Sequence, residues 1–156
     1  MKGLVKLTVG ALLGVLLVTS GAFAQDYLEL VRSDLKTLKV AMVTEAMELN
    51  QEQSDKFWPI YRKYEAKLSQ VYDQRIAIIM EFGANYETMS NEKAKELALD
   101  LLASDKKRAQ LWKKYFYQVE RALSSTIAAR FVQVERQINL LIDLQIASEM
   151  PLIKEP

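Results

Sequence analysis

Leu49 to Tyr64, LNQEQSDKFWPIYRKY, ends one helix, caps the next and loads the first turns of the new helix with Phe57, Trp58, Tyr61 and Tyr64. Asn50 is suited to the N-cap position, because its side-chain oxygen accepts a backbone N–H that the first helical turn leaves open. Gln53 stands three residues on and can bond back to the N–H of Asn50, a capping box. Leu49 precedes the cap and is placed to contact Phe57. Pro59 lies too deep for the first helical position, so it removes one backbone hydrogen bond; it either bends the helix near Asp55–Phe57 or is tolerated in a frayed first turn.

Working outward, glycine and proline are scarce, strand-like alternation is missing, and apolar residues recur every three or four positions. The pattern predicts an all-α chain of four amphipathic helices. The first runs from Asp26, with Glu29 behind it, to about Leu49, with Leu28, Val31, Leu35, Leu38, Met42 and Leu49 inward and Glu45 interrupting the seam. The second runs from about Gln51 to Phe82, with Phe57, Tyr61, Tyr64, Leu68, Val71, Ile78 and Phe82 inward and Arg75 in the seam. Gly83 to Met89 reads as a loop. Ser90 or Asn91 caps the third helix, which runs to about Leu123 with Ala98, Leu102, Ala109, Trp112, Phe116, Val119 and Leu123 inward and Asp105 as a polar break. Ser124, Ser125 and Thr126 compete for backbone hydrogen bonds and mark a short break. The fourth helix runs from about Thr126 to Glu149, on the stripe Ile127, Phe131, Val134, Ile138 and Leu141, and Pro151 stops it.

Four such helices suit a compact bundle, but the length of the second and third favours an elongated, bent helical hairpin. Ile60, Tyr72, Ile76, Ile79, Leu111, Tyr115 and Tyr117 fall off the main stripes, and that surplus apolar surface predicts a homodimer. Met42 reads as core filling, Met80 and Met89 as exposed residues flanking the loop.

Residues 1–24 read as a cleaved signal peptide: Lys2 and Lys6 start it, Leu7–Val18 is apolar, and Ala22-Phe23-Ala24 has the small-x-small form of a cleavage site. The alternative is an uncleaved anchor, although the apolar run falls short of the about 20 residues that span a bilayer. Cleavage after Ala24 leaves a single all-helical domain, 25–156, and an exported, periplasmic protein with no stable membrane anchor. It removes two lysines and no acid, leaving 19 basic and 20 acidic residues and a net charge of −1. That balance argues against nucleic acid as a partner.

The chain has no Cys and no His. Disulfides, thiol catalysis, Ser-His-Asp triads and the usual zinc sites are therefore excluded. Glu45 with Glu48, and Glu92 with Glu96, are spaced to share a helix face, but without a polar pocket sequence nearby they read as solvated acids. No catalytic, metal or cofactor site is expected, and the protein reads as a non-enzyme.

Leu49-Asn50-Gln51-Glu52-Gln53 resembles the LTxxQ motif of the Spy/CpxP family of periplasmic chaperones and envelope-stress adaptors, with Asn in place of Thr. Met89-Ser90-Asn91-Glu92-Lys93 resembles a second copy in which Lys replaces Gln. Phe57-Trp58-Pro59-Ile60-Tyr61 and the segment from Ala128 to Pro151 are similar to a branch of exported proteins related to that family. The resemblance implies an ATP-independent binder of unfolded or misfolded envelope proteins, with Leu49, Asn50, Gln53, Trp58, Pro59 and Ser90 as architectural residues. It implies, as the alternative, an adaptor that docks on the periplasmic domain of a stress sensor. Lys106, Lys107, Lys113 and Lys114, interleaved with Trp112, Tyr115 and Tyr117, are the candidate binding residues. The same residues also fit a solvated helix face whose aromatics pack inward.

Overall fold

A computed structural model describes residues 37–153. The signal peptide at 1–24 and the start of the first helix, with Asp26, Leu28, Glu29, Val31 and Leu35, lie outside them. Within the described residues the fold is all-α, with four helices and no strand: α1 over 37–47, α2 Gln51–Asn85, α3 Asn91–Ala122 and α4 Ser125–Glu149. A 3-10 turn, Tyr86–Thr88, links α2 to α3. Contacts divide the described residues into two compact units: one of 37–46 with 135–151, the other of 47–134 with 152–153.

The larger unit is built on α2 and α3. Asn50 Oδ1 accepts from the Gln53 backbone N–H at 2.9 Å, and Gln53 Oε1 accepts from the Asn50 N–H at 3.0 Å, so the expected capping box is present. Helix α2 continues through Pro59 without a break. Because Pro59 has no N–H, the Asp55 carbonyl lacks its helical donor, and Pro59 itself is exposed. Phe57, Tyr61, Tyr64, Leu68, Val71 and Phe82 are buried as the stripe predicts, while Ile78 is half-buried.

The expected loop at Gly83–Met89 is shorter than read. Gly83 and Ala84 are helical, α2 ends at Asn85, and Asn85 Nδ2 donates to the Glu81 carbonyl at 2.8 Å. One glycine near a helix end is too small a propensity loss to stop a helix of this length. Met89, expected outside, is buried, whereas Met80 is exposed. Ser90 caps α3, its Oγ accepting from Lys93 N at 3.2 Å. Partners then run in opposite directions along the two helices, as an antiparallel hairpin requires: Glu81 meets Lys93, Arg75 meets Asp105, Gln74 meets Lys107 and Tyr64 meets Trp112.

Helix α3 turns a different face inward from the one expected. Val119 is buried as expected and Trp112, Phe116 and Leu123 are half-buried, but the rest of the buried line is Leu97, Ser104, Arg108 and Tyr115, whereas Leu102 is 63% exposed and Ala98 and Ala109 are also outside. The two seams are one residue apart, about 100° of helix rotation. Polar pairing supports the observed one. Arg75 Nη1 and Arg108 Nη2 both donate to Asp105 Oδ1, at 2.7 and 3.0 Å, joining α2 to α3 through the polar breaks in their stripes.

The start of α4 completes this unit. Ser124 Oγ accepts from Ile127 N at 3.2 Å, so the break at Ser124 is also a cap. Ala128, Phe131 and Val134 are buried, and the Phe131 ring meets Phe57, Tyr61 and Tyr64 at centroid distances of 6.1, 6.3 and 5.2 Å. Edge-on contacts of this kind add roughly 0.5–1.5 kcal/mol each beyond the area they bury. Glu48 ends α1 in the left-handed region, φ 47, and Arg130 Nη1 donates to the Met47 carbonyl at 3.0 Å.

In the smaller unit the described core is Val43 and Ile138, with Lys39, Glu135 and Asn139 also buried. Lys39 Nζ lies 2.9 Å from Glu135 Oε2, with side-chain exposures of 8% and 0%, and Asn139 Nδ2 donates to the Glu135 carbonyl at 2.6 Å. The inward line of α1 is thus Lys39, Val43 and Met47. The expected Leu38 and Met42 are exposed, and Leu49 is half-buried outside the helix. Leu141, expected inward on α4, is 61% exposed.

Candidate functional site

The motif residues occupy structural positions. Asn50, Gln53 and Ser90 make caps. Trp58 is half-buried, edge-on to Phe57 at 5.4 Å and to Tyr61 at 5.3 Å, which fixes the ring against the aromatic core of α2.

The candidate binding residues of α3 separate into two sets. Lys106 and Lys113 are exposed on the face away from α2, and Tyr117 joins them there, its ring edge-on to Phe116 at 5.4 Å. Lys107 and Lys114 are exposed about 100° further round the helix. Lys107 Nζ donates to Gln74 Oε1 at 2.9 Å, and Lys114 Nζ lies 5.7 Å from the Tyr115 ring centroid.

Tyr115 is 4% exposed and packs on Tyr64 at 5.4 Å, so it belongs to the core and not to a binding surface. Burial pushes its hydroxyl above the ordinary tyrosine value. Trp112 is half-buried between two contacts: Nε1 donates to Tyr64 Oη at 3.0 Å, and the Arg108 guanidinium lies 5.7 Å from its ring. The polar handle of Trp112 is thus already engaged by α2. Of the three candidate aromatics, only Tyr117 is presented outward.

Residues not foreseen complete the outer face: Lys95, Leu99 and Leu102 are exposed in line with Lys106, Lys113 and Tyr117. Their three-and-four spacing was legible, but it names a face only once the helix rotation is known. A second apolar patch lies on α4, where Leu140, Leu141 and Leu144 are each more than 60% exposed. By contrast, the residues whose surplus apolar surface pointed to a dimer are largely packed. Ile60, Tyr72, Ile76, Ile79 and Leu111 are half-buried, and of the seven only Tyr117 is exposed.

Charges elsewhere are mostly satisfied locally. Lys93 Nζ meets Glu81 at 2.7 Å and Glu96 at 2.8 Å, and those hydrogen bonds, Glu81 first, hold its ammonium well above the ordinary lysine value. Lys56 donates to Glu52 at 2.6 Å and lowers that carboxyl. Glu48 lies 3.7 Å from Arg130, and Glu45 and Glu92 are exposed. Among the described residues, no group of three or more acids could hold a metal, and no helix is long and apolar enough to cross a membrane. What the arrangement offers chemically is a contact surface: lysines and large apolar side chains set outside a helix whose other side is locked by rings and ion pairs. Compared with protein-family models, with characterised proteins and with solved structures, the chain matches none.

Proposed function

We propose that the protein is an exported, periplasmic, chaperone-like binder that holds unfolded or misfolded envelope proteins without ATP or a cofactor. The observation that carries this reading is the outer face of α3, where Leu99, Leu102 and Tyr117 stand exposed among lysines. Exposed apolar groups lower their free energy by leaving water, and lysines attract clients from a distance while keeping the surface soluble. The rigid α2–α3 hairpin presents that surface ready-made, which limits the ordering cost of binding. Homodimerisation belongs to the same proposal, with the exposed Leu140, Leu141 and Leu144 of α4 as the patch a second copy would cover.

The test is light scattering from a model protein as it unfolds, with the purified protein added and ATP omitted. Suppressed aggregation is the expected result. No suppression by a protein that is folded by circular dichroism would overturn the reading, and would turn the search toward a single sensor domain as partner. Sedimentation at increasing concentration tests the dimer.

A further inference from the structure

Lys95, Leu99, Leu102, Lys106, Lys113 and Tyr117 fall within an arc of about 60° on α3, at 100° per residue, and all six are exposed. The arc lies opposite the buried line of Leu97, Arg108 and Tyr115. Between Lys95 and Tyr117 it holds no Asp or Glu, and residues 106–119 contain no acid at all. Four lysines elsewhere are engaged: Lys39 by Glu135, Lys56 by Glu52, Lys93 by Glu81 and Glu96, Lys107 by Gln74. Lys95, Lys106 and Lys113 have no such partner among the described residues. The face therefore presents three ammonium groups without acids and three large apolar groups along about 33 Å of helix, with Leu99 and Leu102 between Lys95 and Lys106 and Tyr117 beyond Lys113.

We infer that this face is a docking strip for extended polypeptide segments that are both acidic and apolar. The inference rests on the proposed holding of unfolded chains and states which segments are held. Charge complementarity selects the partner. Carboxylates every few residues along the segment meet the lysines, and Leu or Phe side chains between them meet Leu99, Leu102 and Tyr117. An extended chain of about ten residues spans the strip at 3.3 Å per residue. A lipid surface fits less well: a helix that lies in a membrane interface needs a continuous apolar face, and here lysines interrupt the apolar residues.

Fluorescence anisotropy of the purified protein tests this with two labelled peptides of about ten residues, one alternating Glu with Leu, the other Lys with Leu. The acidic peptide should bind and weaken as salt is raised, and the basic one should bind about tenfold more weakly or less. The variant K106E/K113E, exposed at both sites, should melt like the wild type and lose about tenfold in affinity for the acidic peptide. Equal binding of the two peptides, unchanged affinity in K106E/K113E, or preferential binding to vesicles containing anionic phospholipid would each overturn the inference. If aggregation is still suppressed in those cases, the holding function stands and only the docking strip falls. If neither suppression nor peptide binding is seen, both fall.

Discussion

The Asn50 side chain satisfies a backbone N–H that α2 leaves open, and Gln53 does the same for Asn50. Both bonds span three residues, so this reciprocal cap was readable from the sequence alone. Asn50→Ala should destabilise the protein by about 0.5–2 kcal/mol. An unchanged denaturation midpoint would show that the cap contributes nothing in this context. Two residues earlier, Glu48 adopts φ 47, a conformation its side chain gives no hint of. It is set by the need to turn from α1 into α2. Glu48→Gly and Glu48→Ala both remove the exposed carboxylate near Arg130 and differ only in Cβ. The glycine variant should be the more stable by about 1 kcal/mol, because a left-handed residue with a Cβ is strained by that order. Equal thermal midpoints would mean that the backbone there relaxes.

At the scale of the helix, α2 follows its apolar period and α1 and α3 do not. The α2 stripe is almost wholly aromatic and aliphatic, so the face of greatest hydropathy is the buried face. In α3 the buried line contains Ser104 and Arg108, and in α1 it begins at Lys39. Hydropathy alone turns both helices about one residue away from their actual orientation. Burying Lys39 costs several kcal/mol unless an anion meets it, and the anion, Glu135, comes from α4, remote in sequence. Lys39→Met alone should therefore cost about 3–5 kcal/mol, whereas Lys39→Met with Glu135→Leu should be close to neutral. Additive losses in that double-mutant cycle would refute the account. Gly83 is a simpler case. It is helical, its φ is not positive, and a Cβ there would meet nothing within 4 Å. Gly83→Ala should stabilise α2 by about 0.4–1 kcal/mol, read as a rise in urea midpoint.

For the molecule as a whole, two groups tie stability to alkaline pH in the same direction. Burial raises the Tyr115 hydroxyl above its ordinary value of 10.0, and the hydrogen bonds that Lys93 donates to Glu81 and Glu96 raise its ammonium above 10.5. Above those ordinary values the unfolded chain has released protons that the folded chain still holds, so unfolding becomes easier as pH rises. The thermal midpoint should be insensitive to both groups below pH 10 and should fall above it. Lys93→Met together with Tyr115→Phe should flatten that fall, and an unchanged alkaline slope in the double variant would refute the assignment.

The sequence by itself determined that the chain is helical, where α2, α3 and α4 begin, and which residues cap α2 and α3. It also supplied the face that α2 buries. Each of these depends on a few neighbouring residues or on an uninterrupted apolar period. The outer face of α3 was legible only in part: Lys106, Lys113 and Tyr117 were found, Lys95 and Leu99 were not placed, Leu102 was assigned to the inward face, and Tyr115 was a candidate for the surface as well as for inward packing. Only the tertiary structure decided the rotations of α1 and α3, and with them which residues face water. The physical reason is that burial of an apolar side chain is favourable in almost any core. Burial of Lys39 is favourable only beside an anion, and the fold brings in Glu135 from α4; Arg108 has Asp105 three residues away on its own helix, but only the fold brings Arg75 of α2 onto that pair.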